Sequence, residues 1–99
     1  MRLDEITNSN VVWGKLSGIN LSIDNEYLNI ISLLKMLIAL RSRHRASTFM
    51  HTITTFENNL TTLLTLNFSG YPNQRDMKKF KNKCRKMLSN IQYLKSQLP

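Results

Sequence analysis

The stretch MKKFKNKCRKMLSNIQYLKSQL, residues 77–98, decides how this chain folds. Met77, Phe80, Cys84, Met87, Ile91, Leu94 and Leu98 recur at alternating spacings of three and four, and Leu88 stands beside them. At 3.6 residues per turn that alternation draws one narrow apolar line along a helix, a pattern that a strand with its period of two cannot produce. The reading is a helix over 74–97 that packs its seam on other helices.

The residues off the seam carry the charge. Lys78, Lys79, Lys81, Lys83, Arg85 and Lys86 crowd into nine positions, and Asp76 is the one acid nearby. A solvated helix face ordinarily mixes signs, with Glu placed to support Lys at i,i+4. Like charges at this density repel each other, and an anionic partner relieves that repulsion. Arg75 lies near the helix start, where a cation opposes the helix dipole and Asp76 favours it, so Arg75 also points to a partner. The net charge of +8 is unevenly spread: residues 1–40 sum to −1 and residues 41–99 to +9.

Working back from the basic helix, NFSGYPNQ (67–74) is a break. Gly70 tolerates positive φ, Pro72 cannot donate to a helix ladder, and Asn73 is a natural cap. Before it, Phe49, Ile53, Phe56, Leu60, Leu63 and Leu64 recur at helical spacing and predict a second helix over about 48–66, capped by Ser47 or Thr48. Its other face is Thr and Asn, so packing rather than propensity must hold it. RSRHRAST (41–48) precedes it and forms a second basic cluster of Arg41, Arg43 and Arg45 around His44.

The first helix is expected over 25–44, with Asp24 as its cap. Tyr27, Leu28, Ile30, Ile31, Leu33, Leu34, Met36, Leu37, Ile38 and Leu40 cover well over half its circumference and leave Asn29, Ser32 and Lys35 polar. That arc exceeds an ordinary surface stripe, so the helix is central or is shared between two copies in a homodimer. Residues 1–22 read as an arm, with Trp13 packed on the bundle, or as a short hairpin around Ser17–Gly18. Two Pro and three Gly in 99 residues are too few for the turns of an all-β domain. The fold class is therefore all-α, a small single-domain bundle of three main helices.

Several functions are disfavoured by what the residues offer. No Gly-rich phosphate loop, nucleophile constellation or paired carboxylates beside a His are legible, so an enzyme is not expected. One Cys with His44 and His51 makes neither a zinc site nor an internal disulfide, and no metal or cofactor is implied. Cys84 on the seam reads as a small buried hydrophobe. The longest apolar stretch, YLNIISLLKMLIAL, is too short for a membrane span of about 20 residues and carries Lys35. With no apolar leader at the first residues, the expectation is an intracellular protein, cytoplasmic or nuclear.

A rigid basic helix rich in Lys suits phosphates, which Lys meets as point charges, better than base edges. The expected partner is nucleic acid, duplex rather than single strand and largely independent of sequence. Lys78, Lys79, Lys81, Lys83, Arg85 and Lys86 are the main contacts, with Arg75, Arg41, Arg43 and Arg45 supporting. The alternative is an interaction module whose basic face binds and regulates an acidic protein. Over about residues 57–95, a helix, a loop carrying Pro72–Asn73 and a basic helix with a cysteine, the chain resembles the silencing suppressors of insect nodaviruses. That resemblance implies a small dimeric helical protein that binds double-stranded RNA by shape. Here Cys84 lies on the seam and not on the basic side.

Overall fold

Three runs of apolar residues at helical spacing meet along their lengths. A computed structural model describes residues 16–65 and 74–99, and among these it contains three helices and no strand: α1 (Leu16–Leu40), α2 (Arg43–Thr65) and α3 (Gln74–Lys95). Ile19, Ile23, Ile30, Leu34 and Leu37 of α1 face Ile53, Phe56, Leu60 and Leu63 of α2 and Met77, Phe80, Cys84, Met87 and Ile91 of α3 in one core. Each large aliphatic side chain taken from water stabilises the fold by about 1.5–3 kcal/mol. Truncation of a fully buried one such as Leu60 to Ala costs about 2–5 kcal/mol.

α1 begins well before the expected residue 25. Ile19 and Ile23 extend the seam of Ile30 and Leu34 at intervals of four and seven, and burying both favours helix through Ser17–Gly18. A Gly inside a helix costs about 1 kcal/mol, less than one buried Ile returns. The hairpin at Ser17–Gly18 is therefore not formed, and the part of the expected arm within 1–15 lies outside the described residues. Asp24, expected as a cap, stands exposed in mid-helix.

The same helix ends at Leu40 rather than near residue 44. Arg41 takes φ 52°, the left-handed conformation that terminates helices, and its N–H donates to Leu37 O at 3.2 Å. Ser42 then caps α2: its Oγ accepts from the Arg45 N–H at 3.2 Å and its carbonyl accepts from the Ala46 N–H at 3.0 Å. Ser47 and Thr48 thus lie inside α2. The Thr48 hydroxyl donates to His44 O at 2.9 Å, and Thr55, Thr61 and Thr62 bond back to His51, Glu57 and Asn58 carbonyls in the same way. This satisfies the hydroxyls without partners from another helix, so α2 owes its place to its buried face.

α3 follows its expected span closely and ends in tight turns, with Gln97 N–H donating to Leu94 O and Leu98 N–H to Lys95 O. The expected cap Asn73 and the break around Gly70 and Pro72 lie outside the described residues. Lys83 of α3 meets Asn20 and Asp24 of α1, and Asn90 meets Tyr27. α1 and α3 therefore run parallel, and α2 returns between their directions.

The apolar arc of α1 divides. Ile30, Leu34 and Leu37 are buried and Tyr27, Ile31 and Leu33 half-covered, whereas Leu21 and Leu28 are each 64% exposed, with Met36 and Leu40 also exposed. Among the described residues no helix is long and apolar enough to cross a membrane.

Candidate nucleic-acid interface

With the seam of α3 turned inward, helical periodicity fixes where its cations go. Arg75, Lys79, Asn82, Lys86 and Tyr93 fall on the line opposite Cys84, and all are exposed. Lys78 and Arg85 are exposed on one flank, with Lys81 half-buried beside them. Met77, Lys78, Lys81, Asn82 and Arg85 line a shallow depression of about 440 Å³. Asn82 Oδ1 accepts from Arg85 Nη1 at 2.9 Å, which steadies the guanidinium over that depression and leaves its remaining N–H groups to other acceptors. Lys78, Lys79, Arg85 and Lys86 form no ion pair among the described residues.

Lys83 behaves differently from Lys78, Lys79 and Lys86. Its ammonium donates to Asn20 Oδ1 at 2.7 Å and Asp24 Oδ1 at 2.9 Å, on the flank that meets α1. This lysine, expected to meet phosphates, is engaged as a strap between helices. The spacing of charges along α3 could not reveal it, because the acceptors lie about sixty residues earlier in the chain. On the opposite flank Lys95 donates to Glu57 Oε1 of α2 at 2.7 Å, the more sheltered of the two ion pairs.

The second basic cluster does not join the first. Arg41, Arg43, His44 and Arg45 are exposed at the turn between α1 and α2. Since Lys83 docks at Asp24, Arg41 lies about 25 Å further along the bundle at 1.5 Å per residue. The sequence-expected site thus consists of one dense strip on α3 and one separate arginine cluster near the other end.

Cys84 is fully buried between Phe80 and Met87. Desolvation pushes its thiol up to about 11, against the opposing pull of Lys83 and Arg85. A thiol held protonated in the core is inert as a nucleophile. Among the described residues no three His, Cys, Asp or Glu side chains stand together as metal ligands.

A groove of about 230 Å³ opens between α1 and α3, lined by Tyr27, Ile31, Asn90, Tyr93 and Leu94. Asn90 Nδ2 donates to Tyr27 Oη at 2.9 Å across it. Tyr93 drew no notice in the sequence; the signal that could have found it is its interval of seven from Lys86. No protein-family model matches this chain, and no curated protein and no solved structure matches it.

Proposed function

We propose that this protein is a non-enzymatic nucleic-acid-binding protein that grips the phosphate backbone of a duplex with α3, largely without regard to sequence. The observation that carries the reading is the strip of one sign: Arg75, Lys79 and Lys86 along its crest and Lys78, Lys81 and Arg85 along its flank, with Lys78, Lys79 and Lys86 in no ion pair among the described residues. A helix of 22 residues is about 33 Å long, enough to track several phosphates. Each phosphate neutralised releases counterions, so affinity falls steeply with salt. Lys83 acts chiefly by holding the strip on α1. Arg41, Arg43 and Arg45 give a second, weaker point of attachment for a ligand long enough to reach it.

The exposed Leu21, Leu28 and Met36 on the outside of α1 support a homodimer through this helix, since exposed apolar side chains at intervals of seven and eight form a stripe that another copy can cover. Two strips on one particle would hold a duplex more tightly than one. A nucleic-acid ligand would place the protein in the cytoplasm or nucleus.

The reading is tested by anisotropy titration of labelled duplex RNA and duplex DNA of equal length at two salt concentrations, with an acidic polypeptide as competitor. Duplex binding that weakens steeply with salt and resists the polypeptide is expected. Preference for the polypeptide over both duplexes would turn the assignment to an acidic protein partner.

A further inference from the structure

Tyr93 continues the line of cations on α3. It follows Lys86 by seven residues, two turns further along the same exposed edge, about 10 Å along the axis. It is 67% exposed, an unusual position for a large aromatic side chain that the core does not need. Beside it lies the groove of about 230 Å³, walled by Ile31 and Leu94 and crossed by the Asn90–Tyr27 hydrogen bond.

We infer that Tyr93 and this groove take an unpaired nucleobase from a strand whose phosphates lie on the cationic crest. The inference rests on the nucleic-acid reading above and adds a preference to it: a duplex carrying a single-stranded extension over a blunt one. Three properties of the place match a base and not a phosphate. The crest carries no cation beyond Lys86, and the next basic residue along α3, Lys95, lies off the crest and is committed to Glu57. The groove walls are aliphatic and aromatic, which suits the flat face of a base. Its polar groups, the Asn90 amide and the Tyr27 hydroxyl, have hydrogen-bonding capacity left for ring nitrogens and exocyclic groups. The separation from Lys86 corresponds to about three base steps at 3.4 Å each, so a strand fixed at Lys86 reaches Tyr93 without stretching. A base inside an intact duplex cannot present its face, so the ligand must be frayed or extended there.

The test compares three forms of one labelled duplex: blunt, with a short single-stranded extension, and with an abasic extension of equal length. The extended duplex should bind the wild-type protein about five-fold or more tightly than the blunt one, as one stacked base provides. The abasic form should behave as the blunt one. Tyr93→Ala should remove the difference and leave blunt-duplex affinity unchanged, and Tyr93→Phe should keep it. Equal affinity of wild type for blunt and extended forms overturns this inference alone. Equal loss for all forms in Tyr93→Ala assigns the residue to the backbone contact and overturns it too. Failure of every form to bind, with no effect of charge reversal on α3, brings down the nucleic-acid reading together with it.

Discussion

The ammonium of Lys83 stands 2.9 Å from Asp24 Oδ1, joining the middle of the most basic helix to the helix that carries two of the four acids among the described residues. The carboxylate is half-exposed, so the pair adds about 1 kcal/mol or less to stability. Its larger effect is on availability, because a cation held by a carboxylate is less ready to meet a phosphate. Asp24→Asn should therefore tighten duplex binding a few-fold at low salt while lowering the melting temperature slightly. Anisotropy titrations of both proteins decide it, and weaker binding by the variant would show that Asp24 serves the site by orienting Lys83.

Charge reversal should be confined to cations that do not hold the fold. Lys78→Glu, Lys79→Glu and Lys86→Glu together should abolish duplex binding with an unchanged circular dichroism spectrum. Single Ala changes at these positions should each lower the magnitude of the log–log salt slope by about one. Lys83→Glu is a poor substitute, since it sets two carboxylates against each other between α1 and α3.

Arg41 adopts φ 52° with a Cβ present. That geometry costs roughly 1–2 kcal/mol for a residue other than Gly. Arg41→Gly should raise stability by about 1 kcal/mol in urea unfolding, less the greater freedom Gly gives the unfolded chain. A destabilised variant would mean that the arginine side chain has a structural role.

The thiol of Cys84 gives a pH signature. Burial raises it from 9.0 to about 11, so the folded state disfavours the thiolate. The stability linked to this group is fully present below pH 9, declines as pH rises through the two values, and is lost above about 11. The loss is of order 2 kcal/mol. The stability difference between wild type and Cys84→Ala should narrow over that interval in matched urea titrations. Alkylation at pH 8 should be slow in the folded protein and fast in denaturant. Rapid alkylation of the folded protein would contradict the buried placement.

Leu21→Asp with Leu28→Asp should leave the monomer folded, since both side chains face solvent. If α1 joins two copies, light scattering should show the wild type at twice the mass of this variant, and duplex affinity should fall in parallel. A wild type that stays monomeric at high concentration removes the dimer.

The seam of α3 was fully legible, because Met77 to Leu98 follow one helical period without interruption. The start of α1 was not, since Gly18 and Asp24 are local signals for a turn and a cap, and they were outweighed by Ile19 and Ile23 joining a core assembled from distant segments. The cap at Ser42 was hidden among several hydroxyl residues, any of which could have served. Exposure of Lys78, Lys79 and Lys86 could be read from periodicity. The diversion of Lys83 could not, because it depends on the parallel docking of α1 and α3, which no single helix encodes.

The joint of Arg41 and Ser42 between α1 and α2 also bears on the order of assembly. So short a connection loses little entropy on closing, whereas α3 must be brought back across a longer segment to lie beside α1. Loop-closure entropy alone then predicts that the α1–α2 hairpin forms early and the cationic helix arrives last, against its own charge repulsion. A polyanion present during refolding should therefore accelerate the final docking step and leave hairpin formation unchanged.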